Sequence, residues 1–168
     1  MKPWIMIAAV CWFVSANGAV GAEPAAQPKW MSSPVKEWID KARTTTKQVT
    51  VGDLKAAIDG NESVVVLDVR EPNEYEVAHI PSAINVPRGL LEFSIWSVVP
   101  NKETKIFVYC KTGARAALST KTLNELGYIN AVAVDTGGVA WVKAGYPVQT
   151  SITDEEVFIL PASQHARQ

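Results

Sequence analysis

The sequence predicts an α/β domain with a central, mainly parallel, five-stranded sheet flanked by helices. One observation is that short apolar runs rich in β-branched residues alternate along the chain with segments of helical spacing. A second is that residues 64–69 and 105–109 are almost continuously hydrophobic, which is typical of strands buried on both faces of a parallel sheet. The chain has 168 residues, which suits one domain of about 100–150 residues with extensions.

The expected elements of this domain can be placed in chain order. Ser33 at the N-cap and Pro34 in the first turn predict a helix over about 34–43. The remaining predicted helices cover residues 53–58, 74–77 (capped by Asn73), 88–99, 116–126 and 137–144. The predicted strands cover residues 49–51, 64–69, 84–86, 105–109 and 131–134.

The composition restricts the class of function. The 16 Lys and Arg residues and 17 Asp and Glu residues give a net charge of −1, so no basic surface is expected for a nucleic-acid partner. The 48% content of hydrophobic residues excludes a wholly disordered chain. Only two cysteines, Cys11 and Cys110, are present, which argues against a small scaffold held by disulfides.

The first 22 residues have the pattern of a secretory signal peptide. Lys2 provides the positive start, residues 4–14 form an apolar run, and small residues follow up to Ala22. The run is shorter than the roughly 20 apolar residues needed to span a bilayer. We therefore expect cleavage near Ala22 and a periplasmic or secreted protein. An uncleaved anchor and a lipid-modified Cys11 are the alternatives.

Cleavage at this point divides the rest of the chain into three parts and leaves one cysteine. Residues 23–46 form a Pro- and Ala-rich linker and the first helix, 47–149 the domain, and 150–168 a tail that contains an apolar patch at 157–160. This tail is either loose or adds a strand. Cys110 is then a free reactive thiol, a partner in an intermolecular disulfide, or a small buried hydrophobe.

The segment from Cys110 to Arg115 favours the reactive thiol. Cys110 follows a predicted strand, and open α/β sheets bind ligands beyond the carboxyl ends of their strands. Gly113 permits a sharp turn, after which the loop amides and the helix N-terminus can converge on an anion. Lys111 and Arg115 add positive charge. This environment is expected to favour the thiolate of Cys110, a nucleophile for an anionic substrate.

Four segments in this order resemble the rhodanese-like sulfurtransferases, in their single-domain, exported form. They are LDVREPNEY (67–75), AHIPSAINVP (78–87), VYCKTGARA (108–116), and GGVAW (137–141) with AGYPV (144–148). The resemblance covers residues 47–149. The chain departs from the family pattern at Ala78 and Ser82, where glycine is usual, and these departures affect the expected detail of one loop rather than the chemistry.

The resemblance implies sulfur transfer through a persulfide on Cys110. A small anionic donor such as thiosulfate supplies the sulfur, and cyanide or a thiol accepts it, with a protein as a further candidate acceptor. No metal or organic cofactor is implied. The implied substrate-binding residues are those of the loop: Lys111, Thr112, Gly113, Ala114 and Arg115.

Supporting roles are expected for three further residues. Asp68 either orients the loop or Arg115, or forms a stabilising polar pair with Arg70 at the end of its strand. Trp141 either forms a wall of the pocket or packs in the core. His79 precedes Ile80 and Pro81 in a turn and is expected to be structural.

Two other functions remain open from the sequence. A phosphatase or arsenate reductase of related fold also uses a Cys-loop-Arg arrangement, but such enzymes leave five residues between Cys and Arg, whereas Cys110 and Arg115 are separated by four. The second is a sulfur carrier that binds sulfur without turnover. The helix near 34–43 and the patch at 157–160 are candidate docking surfaces for its partner.

Overall fold

The computed structural model describes residues 33–60 and 62–151. The predicted signal peptide, the linker up to residue 32 and the patch at 157–160 lie outside these residues, so the predictions made for them stay predictions. Within the described part of the chain, no helix combines the length and apolar character needed to cross a membrane.

Strands and helices alternate along the chain as expected. The strands are β1 (Gln48–Val49), β2 (Val64–Asp68), β3 (Ile84–Asn85), β4 (Lys105–Tyr109) and β5 (Ala131–Val134). The helices are α1 (Pro34–Thr45), α2 (Val51–Asp59), α3 (Pro72–Val77), α4 (Leu91–Val98), α5 (Ala114–Glu125) and α6 (Gly137–Lys143), with a 3-10 turn at Arg88–Leu90.

The strands form one five-stranded sheet in the order β1-β5-β4-β2-β3. Every pairing between these strands is parallel, which confirms the predicted architecture. The connection from β2 leads outward to β3 on one side, whereas that from β4 leads to β5 on the other. The reversal lies between β2 and β4, and ligands of open α/β sheets bind at such a point, beyond the carboxyl ends of the strands.

The alternation of side chains along β4 divides the core into two layers. Ile106 and Val108 pack in a cluster that includes Leu123 of α5. Phe107 and Tyr109 pack in a second cluster on the opposite face, with residues of α2 and α6. A third, smaller cluster fixes α1 against the outer face of α5. The helix that follows Cys110 is therefore supported on both sides.

The first residues of the helices differ most from the predictions. Local capping explains the differences at α2 and α3. Thr50 and Asp53 form a capping box, so α2 begins at Val51 and shortens the strand predicted over 49–51. Glu71, rather than Asn73, is the N-cap of α3 and forms the same reciprocal arrangement with Glu74. Ser33 does occupy the N-cap of α1, but its side chain makes no capping hydrogen bond.

The other boundary differences lie at proline and glycine. The helix predicted over 88–99 is a 3-10 turn followed by α4, because the chain must first turn after Pro87. The helix after the Cys110 loop begins at Ala114, two residues earlier than expected, because Gly113 serves as its N-cap.

Candidate active site

Cys110 lies directly after β4, at the carboxyl end of the central strand, as the sequence predicted. Its thiol is free and its side chain is only 1% exposed. Apolar residues, among them Val69 and Val86, surround it on the core side. The backbone amide of Gly113 donates a hydrogen bond to Sγ over 3.2 Å.

The backbone conformation of Gly113 directs its amide toward the sulfur. Gly113 has φ +88° and is the N-cap of α5, so the chain turns sharply between Cys110 and the helix. A β-carbon at this position would lie 1.7 Å from the carbonyl oxygen of Asp135, which excludes any other residue. The amides of the first turn of α5 have no partner within the helix. Among the described residues, Gly113 alone donates its amide to Sγ, so the predicted convergence of several amides is shown for this one group.

The start of α6 holds the loop from the other side. The amide of Gly138 donates to the carbonyl of Cys110 over 2.7 Å, and that of Val139 to the carbonyl of Lys111 over 3.1 Å. Gly137 has φ +59°, and a β-carbon there would lie 2.3 Å from the carbonyl oxygen of Cys110. The sequence identified these glycines as a helix start but not as the support of the loop. Two adjacent glycines at the end of a strand were the available signal.

Arg115 is paired with Glu74 rather than directed at the thiol. Its Nη1 and Nη2 donate to the two carboxylate oxygens of Glu74 over 2.7 and 2.9 Å. The side chains of Arg115 and Glu74 are 31% and 28% exposed. Arg115 therefore binds Glu74, a partner that was not expected from the sequence, and its role in binding a donor anion stays a prediction.

The Arg115–Glu74 pair predicts a pH-dependent stability difference. The hydrogen bonds from Arg115 lower the pKa of Glu74 below its ordinary value of 4.5. A carboxyl group whose pKa is lower in the folded than in the unfolded protein stabilises the fold at pH values above its unfolded-state pKa. This stabilisation is lost as the pH falls through the folded-state pKa. We expect Glu74→Gln to destabilise the protein by about 1 kcal/mol at pH 7 and by much less at pH 3. Urea unfolding at both pH values measures this difference.

The control for this prediction is Glu125→Gln. Glu125 pairs with Lys121 one helical turn away on the exposed surface of α5. Its replacement is expected to cost about 0.5 kcal/mol or less. A destabilisation by Glu74→Gln that is the same at pH 3 and pH 7 would show that the carboxylate charge contributes nothing to stability.

Asp68 pairs with Arg70, not with Arg115 or the loop. Asp68 is fully buried and accepts from Nε and Nη2 of Arg70, the latter over 2.6 Å. Burial lowers the pKa of Arg70 and is the largest single influence, but the hydrogen bond with Asp68, the charge of Asp68 and the contribution of Tyr109 together outweigh burial and raise that pKa. Nη2 also donates to the carbonyl of Ala78. The sequence left two roles open for Asp68, orientation of the loop or Arg115, and a stabilising pair with Arg70. The geometry shows the pair with Arg70, which connects the end of β2 to the loop after α3.

Tyr109, the residue before Cys110, also contacts this polar network. It lies opposite Asp68 in the β2–β4 register, and its hydroxyl accepts a hydrogen bond from the amide of Ile80 over 3.1 Å. Burial raises the pKa of Tyr109, and the charge of Asp68 raises it further. The end of β4 is therefore fixed by a neutral phenol and a paired carboxylate.

His79 and Trp141 both have structural contacts. His79 is stacked on Tyr75 with ring centroids 3.8 Å apart, and its Nδ1 lies 2.9 Å from the carbonyl oxygen of Tyr75. Its backbone forms an antiparallel bridge with Gln149. Trp141 is buried and donates from Nε1 to the carbonyl of Pro147 over 2.7 Å, and it also lines a cavity. Trp141 therefore packs in the core and lines this cavity, and its predicted supporting role at the thiol stays a prediction.

A cavity of about 620 Å³ opens beside the Cys110 loop. Tyr109 and Lys111, the two chain neighbours of Cys110, line it, whereas Cys110 itself does not. Thr112 is exposed on the loop. The remaining wall is supplied by the end of β2, by α3 and the turn after it, and by α6. Within the described residues, no group of three or more His, Cys, Asp or Glu side chains is placed to hold a metal ion.

Comparison with known proteins agrees with this arrangement. Residues 50–144 match the rhodanese-like domain family. The chain is 30% identical over 95 residues to a sulfurtransferase from Allochromatium vinosum, covering 56% of this chain and 87% of that protein. It is 31% identical over 94 residues, or 56% of this chain, to Bacillus subtilis YrkF, whose name designates a sulfur carrier protein. The chain spans only half the length of YrkF.

Solved structures share the fold. A thiosulfate sulfurtransferase from Pseudomonas aeruginosa superposes with a TM-score of 0.64 at 27% identity, covering 71% of this chain and 23% of that one. A Rhodopseudomonas palustris protein of unknown function, suggested to be a tyrosine phosphatase, gives a TM-score of 0.64 at 29% identity, covering 73% of this chain and 99% of that one. Because the family match extends over more than half of the sequence, the chain belongs to the rhodanese-like family.

Proposed function

We propose that the protein is a sulfurtransferase in which Cys110 carries the transferred sulfur as a persulfide. The donor is thiosulfate or a related small anion, and the acceptor is a thiol, for which cyanide substitutes in an assay. The observation that carries this proposal is the 3.2 Å hydrogen bond from the Gly113 amide to Sγ, at the carboxyl end of β4 and the N-terminus of α5. A sulfur in this position is stabilised as an anion by backbone dipoles.

In the first step the Cys110 thiolate attacks the outer sulfur of thiosulfate. A new S–S bond forms at Sγ, the S–S bond of thiosulfate breaks, and sulfite leaves with the bonding electron pair. The outer sulfur of the resulting persulfide is anionic at neutral pH. The first-turn amides of α5, which have no partner within the helix, are the groups available to stabilise it.

In the second step the acceptor thiolate attacks the outer sulfur of the persulfide. The Cys110 S–S bond breaks, the electron pair returns to Sγ, and the sulfur leaves on the acceptor. The Gly113 amide then stabilises the regenerated thiolate. Because the donor product leaves before the acceptor reacts, ping-pong kinetics are expected.

Lys111 is the cation best placed for the donor anion. It is exposed on the loop immediately after Cys110 and lines the adjacent cavity. Arg115 already holds Glu74 through two hydrogen bonds, so an anion must compete with this carboxylate. We therefore assign the first electrostatic contact of the donor to Lys111, and a secondary contribution to Arg115.

The proposed site of action is outside the cytoplasm, after removal of residues 1–22. The charged start, short apolar run and small residues before the cut support this proposal. Determination of the N-terminal residue of the protein recovered from the periplasm or the medium tests it, with Glu23 expected as the first residue.

Persulfide formation tests the proposed function directly. We expect intact-protein mass spectrometry after incubation with thiosulfate to show one added sulfur atom, and peptide mapping to place it on Cys110. Addition of cyanide should remove the sulfur and release thiocyanate. An unmodified Cys110 together with hydrolysis of a phosphate monoester by the same protein would instead identify the phosphatase chemistry.

A sulfur carrier is the second candidate, and the similarity to YrkF favours it. Carrier and enzyme differ in turnover. A carrier gains one sulfur per chain and releases it slowly to small thiols, whereas an enzyme produces many equivalents of sulfite. Sulfite measured per mole of protein, with thiosulfate and a thiol both in excess, separates the two.

A further inference from the structure

The cavity of about 620 Å³ lies where the described part of the chain ends. Val148 forms part of its wall. The next residue, Gln149, exchanges two backbone hydrogen bonds of 2.8 Å with His79, which also lines the wall. The amide of Ser151 then donates to the carbonyl of Glu76 over 2.9 Å. The chain that follows Ser151 therefore starts at the rim of the cavity, beside the end of α3.

The wall of this cavity presents apolar side chains to solvent. Val77, Val139 and Val142 line it, and all three are exposed. Ile80 and Trp141 are buried and form its inner surface. Exposed valines gathered on one concave surface gain stability when other apolar side chains cover them.

This surface is separate from the reacting sulfur. Ile80, Tyr109 and Trp141 belong to the core cluster on one face of the sheet, whereas Cys110 belongs to the cluster on the other face. Cys110 is also absent from the residues that line the cavity. The reaction proposed for Cys110 therefore leaves the cavity without an assigned role.

The unpaired charge in the wall of the cavity is positive. Arg70 and Glu74 line it, but each is already in an ion pair. Lys111 and Lys143 are exposed in the same wall, and neither ammonium pairs with a carboxylate in the described part of the chain. Lys143 lies at the end of α6, opposite the glycines that hold the Cys110 loop. It is therefore available to a group other than the sulfur donor.

The sequence directly after Ser151 complements this wall in charge and in polarity. Residues 154–156 are Asp-Glu-Glu, residues 157–160 are Val-Phe-Ile-Leu, and no Lys or Arg occurs between residues 152 and 160. Leu160 is nine residues beyond Ser151, so the segment reaches at most about 30 Å from the rim. A segment joined to its site this closely has an effective concentration on the order of millimolar. Weak contacts are therefore enough to bind it.

From these features we propose that the cavity is the docking site of residues 152–160 of the same chain. The apolar side chains of residues 157–160 contact the exposed valines of α3 and α6, and the acidic side chains of residues 154–156 face Lys143. This contact removes two apolar surfaces from water at once. The backbone pairing of residues 149–151 with residues 76–79 leads the same chain to the cavity, which favours this segment over that of a second copy.

Photo-cross-linking in the full chain tests the proposed contact. Phe158 is replaced by p-benzoylphenylalanine, the protein is irradiated, and peptide mass spectrometry locates the new bond. We expect cross-links to residues 77–80 or 139–143 of the same chain. Cross-links that join two chains, or that lead to α1 or β3, would overturn the inference.

Proteolysis gives a second measurement, with Val142→Asn as the variant of the wall. Chymotrypsin cleaves after Phe158 only while the segment is undocked, so the initial rate of this cut reports the undocked fraction. We expect Val142→Asn to raise the rate about tenfold, because it removes apolar contact area. Val35→Asn is the matched control, since Val35 on α1 is 47% exposed and Val142 is 43% exposed. Equal rates in the two variants would contradict docking at this cavity.

The ionic part of the proposal has its own variant. Lys143→Glu should raise the rate of cleavage after Phe158 by about threefold to fivefold at low salt, and by less in 1 M salt, where exposed charges are screened. Lys41→Glu, at an exposed lysine of α1, should leave the rate unchanged. An equal effect of both variants would show that Lys143 does not face the acidic residues. None of these measurements involves sulfur transfer, so their outcome is independent of the proposed function.

Discussion

Cys110→Ser is expected to abolish sulfur transfer, with turnover of thiosulfate falling by at least about 10³-fold. A serine hydroxyl is not ionised at neutral pH and forms no persulfide. The fold should be retained, because the hydroxyl is close in size to the thiol and accepts the same hydrogen bond from the Gly113 amide. Sulfite release and mass spectrometry measure the loss of transfer, and urea unfolding measures the stability.

A loss of turnover in Cys110→Ser identifies the sulfur as the reacting atom only if the protein remains folded. A free energy of unfolding within about 1 kcal/mol of the original protein, together with loss of turnover, assigns the reaction to the sulfur atom. Turnover that persists in Cys110→Ser would contradict the persulfide mechanism, since no other cysteine lies among the described residues.

Gly113→Ala is expected to damage both the fold and the reaction. A β-carbon at residue 113 would lie 1.7 Å from the carbonyl oxygen of Asp135, and the backbone has φ +88°. The unfavourable backbone conformation and the overpacking together should destabilise the protein by about 2–4 kcal/mol. The displaced loop would move the amide away from Sγ. Thermal unfolding measures the first effect, and persulfide formation at a temperature well below the transition measures the second.

Gly89→Ala is the matched control for this change. Gly89 lies in the 3-10 turn, and a β-carbon there would have no atom within 4 Å. Its replacement should change the stability by less than about 1 kcal/mol and should leave persulfide formation unaffected. If Gly113→Ala behaved like Gly89→Ala, the close approach of residue 113 to Asp135 would be contradicted, because an alanine there could not be accommodated without movement of residue 135.

The sequence was most informative where a single local rule decides the structure. Residues 105–109 and 131–134 are buried apolar runs, and both strands have the predicted bounds. The positions of Cys110 at the end of a strand and of Gly113 in the following turn were also predicted, because both positions are decided by residues adjacent in the chain. Capping, in contrast, depends on which of several polar side chains reaches a free amide, and Glu71 displaced Asn73 at the start of α3.

Contacts between distant segments were beyond this reasoning. Glu74 and Arg115 are 41 residues apart, and their pairing follows from the placement of α3 and α5 over the same edge of the sheet. The cavity has the same origin, because Val77 and Val142 come from helices that are adjacent only in the folded chain. Val77 and Val142 lie outside the four recognised segments. The helices that carry them are too short for a hydrophobic periodicity that would reveal a shared surface.

The burial of Cys110 restricts what can reach its sulfur. A disulfide brings two β-carbons to within about 4 Å of each other, and a side chain that is 1% exposed gives another polypeptide no such approach. Covalent dimers through this residue are therefore sterically blocked as long as the loop keeps its conformation. A narrow reactant is less restricted by this burial than a folded surface is, so the Cys110 loop acts as a size filter that limits mixed disulfides between Cys110 and other proteins.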